Sequence, residues 1–359
     1  MDVTAKITGI KYTPLTCRDL DTIALADLEN GLPHKGSFLL QVSSKSQIAM
    51  SWWTSSKRTR TYPYARVYDT LNFQGRKVTI IPIFKDEGED GDRDFLQWDT
   101  ISLMSLLGVY TIISYYNQAS KNSKYKNKIT GQHYDYQHLR YEIKKLCSYQ
   151  SDALHWNLEQ IGNAGKVCQK ALDASIKISR KLKVRMHSKS SAEGRIDELL
   201  KGKKSFMSFS RKLAKEAQKR ESLTNQPKEK LTGSKGTLTV SNYLGGNYYL
   251  TVDEIEIRGK NILLIEGKHS KKSYLPSMAD IKDGFIKLFL LTNLKKVRVD
   301  ERIYNVKPIL KLTSDKILPD LSTNKNLRHK LRQIINEAKA NNFNVTLNQN
   351  DLANLSIGS

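Results

Sequence analysis

Cysteine is scarce in this chain: Cys17, Cys147 and Cys168 are all that 359 residues contain. They are odd in number, widely spaced and follow no ligand spacing. This excludes a disulfide-framed scaffold and a zinc knuckle, and it suits a reducing cytoplasm. Long hydrophobic runs are also missing. No apolar stretch is long enough to span a bilayer, and the opening MDVTAKITGIKYTPLTCRDL lacks a basic segment followed by an apolar one. Neither a membrane span nor a secretory signal is expected. Negative charge is the third deficit: 36 Asp+Glu stand against 59 Lys+Arg, for a net charge of +23. Such a one-sided balance suits a polyanionic partner, nucleic acid above all. A membrane surface suits it less well, because no long amphipathic basic helix stands out.

What remains is globular, with 39% hydrophobic residues and a length that suits two domains. We place the boundary near residue 160. Residues 1–160 read as an α/β region serving DNA recognition or dimerisation, with strand-like runs at Lys77–Phe84 and Gly108–Tyr116. Within it, Trp52, Trp53, Tyr62 and Tyr64 are interleaved with Lys57, Arg58, Arg60 and Arg66. That mixture suits stacking on bases and pairing with phosphates, Arg58 and Arg60 being the candidate contacts; a partly buried aromatic cluster with a basic rim is the alternative. From Gly165 to Lys230 the pattern turns helical and basic, with 19 Lys+Arg against 7 Asp+Glu. Lys203 and Lys204 there are candidate backbone contacts, although a charge run is commonly a solvated helix face.

The residues that carry chemistry lie further on. Asn247–Ile257, Arg258–Asn261 and Ile262–Lys268 read as strand, turn and strand. With Gly259-Lys260 as a two-residue turn, Ile257 faces Ile262 and Asp253 faces Glu266. Glu266 and Lys268, two apart, point to one side of the strand, and Asp253 joins them there. Opposed carboxylates beside the apolar Ile262–Ile265 run repel unless a positive charge lies between them. A Mg²⁺ ion is the economical answer, with Mn²⁺ as a substitute, and Lys268 is placed to orient the attacking water. The alternative is an edge-strand ion pair. Glu142-Ile-Lys144 and Asp280-Ile-Lys282 have the same form but sit in helical periodicity.

Asp253 followed by an apolar strand ending in Ile-Glu266-Gly267-Lys268 resembles the PD-(D/E)xK nuclease superfamily. The resemblance implies that Asp253 and Glu266 bind the metal, that the Gly267 carbonyl adds a ligand and that Lys268 assists the water. The family's preceding proline is absent, since Val252 stands there. The fold implied for residues 161–359 is an α/β, mixed-sheet nuclease core with basic helices. Ser277 as N-cap of an amphipathic run from Met278, and strands around Lys296–Val299 and Pro308–Leu312, continue in the order expected. Ile-Glu-Gly-Lys-His and the run Asp280–Lys287 further resemble a type II restriction endonuclease, which implies double-stranded DNA as partner and a homodimer that cuts both strands.

Smaller readings complete the set. Lys271, Lys272 and Lys235 are candidate phosphate contacts beside the scissile bond. Glu216 or Glu221 is a candidate further ligand. His269 is expected to be structural, because alternation aims it away from Lys268. Tyr68–Phe84 echoes the hairpin at an offset of 184, with Pro82 at the glutamate position and Asp86, Glu87, Asp90, Asp92 and Asp94 following as an acidic loop. Shared turn residues arising by coincidence are the favoured account of that echo.

Overall fold

A computed structural model describes residues 1–57, 62–188, 193–223, 234–242, 246–319, 324–348 and 350–352. It is mixed α/β throughout, and no helix among the described residues is long and apolar enough to cross a membrane. The chain divides into two units: Met1–Arg18 with Leu213–Ser359, and Asp19–Lys212. This differs from the boundary read near residue 160, for a reason invisible to composition. The opening strand, β1 (Asp2–Ile7), pairs with strands from the far end of the chain. Conversely, the basic helix Ala164–Leu182 packs on the strand Tyr116–Lys121, within the inserted unit. Lys203 and Lys204 also fall in that unit.

The unit that carries the Glu-x-Lys motif is built on α1 (Lys203–Leu223), in which the division falls, then β2 (Ser234–Asn242), β3 (Gly246–Arg258) and β4 (Asn261–Ser270). After these come α2 (Met278–Thr292), β5 (Lys295–Val299), β6 (Arg302–Ser314), α3 (Lys325–Ala340), β7 (Asn344–Leu347) and β8 (Asn350–Asp351). β2, β3 and β4 form an antiparallel meander, and β6 lies parallel to β4 along its whole length. Because β1 joins β2 to β5, and β5 joins β6, six strands close into a circuit, with β7 and β8 continuing beyond β6. Closure removes most unpaired edges.

β4 sits between β3 and β6, so both its edges are paired, and its apolar Ile262–Ile265 run is buried throughout. The expected hairpin is present: Ile257 pairs with Ile262, and Gly259 takes the left-handed φ of +58° that the tight turn needs. Ser277 caps α2 as read, its Oγ accepting from the Asp280 N–H at 3.1 Å. α2 packs on β4 and β6, and buries Ile281, Phe285, Ile286, Leu288, Phe289 and Leu291. A helix apolar nearly all round is one enclosed by its neighbours.

The inserted unit has a five-stranded sheet ordered Thr22–Ala24, Ser37–Ser43, Ser46–Trp52, Lys77–Pro82, Val109–Ser114. Its last three strands are parallel. The two strand-like runs read from the sequence are therefore real, and are buried as the interior of a parallel sheet requires. The echo of the hairpin is absent: Pro63–Tyr68 is a helix, and Asp69 caps its end.

Candidate active site

The side chains of β4 alternate. Ile265, Gly267 and His269 take one face, and Leu264, Glu266 and Lys268 the other, which α2 covers. The hairpin register holds as far as Glu254 opposite Ile265. There β3 departs from regularity. Against β2, Ser234 pairs with Ile255 but Gly236 with Val252, so Asp253-Glu254 carries one residue too many. This is a bulge, the device by which strands re-aim a side chain. Its sign is the burial of two neighbours in succession, Glu254 and Ile255. Asp253 does not simply face Glu266. Its Oδ2 accepts from the Gly267 N–H at 2.9 Å, and its charge acts on Glu266 and Lys268.

Glu266 is only 5% exposed. Lys268 Nζ lies 3.1 Å from its Oε1, while Lys287, from α2, pairs with its Oε2. Lys268 also reaches Asp283 Oδ2 at 3.3 Å. Burial alone would raise the Glu266 pKa, but the ammonium groups of Lys287 and Lys268 outweigh it and hold the carboxyl at about 2. Burial likewise favours neutral Lys268, yet Glu266 and Asp283 together drive its pKa well above the ordinary lysine value. Glu266 is therefore a carboxylate and Lys268 an ammonium at neutral pH.

Sequence reasoning missed the contribution of α2. Asp283 and Lys287 are two of the four charged positions in a largely apolar helix, and their i, i+4 spacing puts them on one face, which was the available signal. Gly284 between them lets the helix come close: a Cβ there would stand 3.1 Å from Leu310 Cδ1 and 3.3 Å from Lys268 Cε. On the opposite face of β4, Glu254 and Lys311 form a second buried ion pair at 2.5 Å. Lys311 stands opposite Gly267 in the register, so this pair occupies the face to which Gly267 contributes no side chain.

The chain matches no protein-family model, no curated protein and no solved structure. Asp253, Glu266 and Asp283 carry three negative charges against the two positive charges of Lys268 and Lys287, which leaves room for a cation. Among the described residues no three His, Cys, Asp or Glu side chains converge on one point. One or two carboxylates suffice for Mg²⁺, whose remaining positions are filled by water and phosphate, so the donor set fits.

The remaining sequence candidates are dispersed. Lys271 and Lys272 are exposed after β4 and line a cleft of about 600 Å³ together with Lys330 and the first residues of α2. Lys235 is half-buried on β2, and Glu216 is exposed on α1. Lys203 is half-buried and Lys204 exposed, both in the inserted unit. Arg58 and Arg60 lie outside the described residues. His269 is structural, its Nδ1 hydrogen-bonded to Thr313 Oγ1 at 2.9 Å. The acidic loop is spent on local pairing: Asp86 contacts Arg93 and His187, Glu87 contacts Lys85 and Lys128, and Asp94 accepts from Ser55.

Proposed function

We infer that the chain is a Mg²⁺-dependent endonuclease of the PD-(D/E)xK kind, a type II restriction endonuclease that cuts double-stranded DNA at a short specific sequence in the cytoplasm. The observation that carries this reading is the convergence of Asp253, Glu266 and Lys268 at the bulge of β3, with Lys268 3.1 Å from Glu266. The order of elements supports it as well: a helix, an antiparallel meander of three strands, a crossover helix, and a strand parallel to the third.

In this reading Asp253 and Glu266 would hold the cation together with the Gly267 carbonyl. When bound, the ion supplies Lewis acidity toward the scissile phosphate and lowers the pKa of its water. Lys268, fixed between Glu266 and Asp283, would orient the nucleophilic water and offset charge developing on the phosphate. The chain's net charge of +23 supplies affinity for the phosphodiester backbone. One centre cuts one strand, so a homodimer makes the double-strand break.

A second reading has one observation in its favour. Lys268 and Lys287 already neutralise Glu266 without any metal, as they would in a DNA-binding protein with no catalysis. Incubating a long plasmid with the protein and Mg²⁺ separates the readings. Discrete fragments support a restriction enzyme, and a smear or nick a nuclease without sequence preference. Protein that retards DNA yet is inert with both Mg²⁺ and Mn²⁺ supports the second reading.

A further inference from the structure

The inserted unit holds a cavity that the nuclease reading leaves unused. Its volume is about 450 Å³, within the range of small-molecule sites. It opens beyond the carboxyl ends of the three parallel strands. Trp52 and Thr54 close Ser46–Trp52, Lys85 and Glu87 follow Lys77–Pro82, and Tyr116 follows Val109–Ser114. Sheets of this kind place their ligands at that end.

The lining is aromatic and rigid. Tyr116 and Tyr134 stack at 4.5 Å as the floor. Their hydroxyls donate to the carbonyls of Thr54 at 2.9 Å and Trp53 at 2.5 Å. Trp52 forms a wall fixed twice, by its indole N–H to the Lys35 carbonyl at 2.7 Å and by the Arg66 guanidinium 4.4 Å from its ring. Tyr136 and His133 stand at the mouth, the former half-buried and the latter exposed. One carboxylate and two ammonium groups complete the cavity: Glu87, with Lys85 at 2.9 Å and Lys128 at 3.4 Å.

Fixed aromatic faces suit a planar ring, a carboxylate suits its N–H donors, and a surplus ammonium suits a phosphate. We propose that this cavity binds a nucleotide, its base among Trp52, Tyr116 and Tyr136 and its phosphate toward Lys85 and Lys128. The nucleotide comes either free from solution or extruded from a nucleic-acid strand.

Calorimetric titration with nucleoside 5′-monophosphates, in EDTA, tests this without calling on cleavage. Saturable binding is expected, and it should be unchanged in Lys268→Ala, whatever becomes of the nuclease reading. Tyr136→Ala and Lys128→Ala should each weaken it about tenfold. Lys128, partly exposed, keeps the test intact should Tyr136→Ala fail to fold. No saturable heat up to about 10 mM overturns the proposal, and so does wild-type affinity in both variants. Oligonucleotides carrying 2-aminopurine separate the sources. A fluorescence rise abolished by Tyr136→Ala assigns the strand, and mononucleotide binding with unchanged 2-aminopurine fluorescence assigns the free nucleotide.

Discussion

Both units bury charge, but they use it differently. In the inserted unit Asp86 accepts from the Gly88 N–H at 2.9 Å and from His187 at 2.8 Å, and pairs with Arg93. These contacts close a short hairpin in which Asp86 and Arg93 are cross-strand partners, and tie it to the segment carrying His187, so a carboxylate there has a local polar task. In the other unit Glu266, Lys268, Asp283 and Lys287 lie between a strand and the helix packed on it, where leucines would fill the space at lower electrostatic cost. Charge across a short hairpin explains itself by holding the hairpin closed. Charge between a strand and its covering helix has no such local account, and functional sites are where such groups gather.

The sharpest way to break this comparison is Lys268→Ala. It should lower plasmid cleavage by about a hundredfold to a thousandfold while DNA retardation on gels persists. Cleavage at the wild-type rate would reduce the buried network to architecture. Next in size, Glu266→Gln leaves Lys268 and Lys287 without their shared carboxylate and should cost roughly 3–5 kcal/mol in urea unfolding. Lys128→Ala, which leaves the buried Glu87 its second partner Lys85, should cost about 1 kcal/mol or less. Equal losses would erase the distinction.

Acid should discriminate as well. Glu266 is held at about 2 against an ordinary 4.5, so its carboxylate contributes stability that is complete above pH 4.5 and lost as pH falls toward 2. That contribution is about 3 kcal/mol. Denaturant titrations across this window should show the loss in the wild type and not in Glu266→Gln. Two smaller effects would refine the picture. Lys287→Met removes the ammonium that competes for Glu266 and should tighten Mn²⁺ binding about tenfold by calorimetry, about 1.4 kcal/mol. Gly284→Ala should shift stability by less than about 1 kcal/mol, because the gain in helix propensity offsets the close approach to Leu310.

Local features were the ones legible in the sequence. The β3–β4 register follows from a two-residue turn and strict alternation, and the cap of α2 from Ser277 and Asp280, each within a few residues of one another. The bulge at Asp253 was not legible, because it arises from pairing with β2 rather than from the hairpin. The roles of Asp283, Gly284 and Lys287 were hidden because they depend on which side of α2 meets the sheet, a tertiary choice. The echo at Tyr68 is the coincidence it was read as: matching letters did not carry a matching partner strand, and Tyr68 ends a helix where the hairpin has its first strand.

The placement of β1 bears on how such a chain is made. Asp2–Ile7 finds its neighbours only in β2 and β5, which follow the whole inserted unit. During synthesis this segment therefore waits as a bare strand while Asp19–Lys212 emerges and is free to fold first. A ribosome-bound chain stopped short of Val299 should carry an open seam where β1 and β5 would meet, exposed to proteases until the last strands arrive.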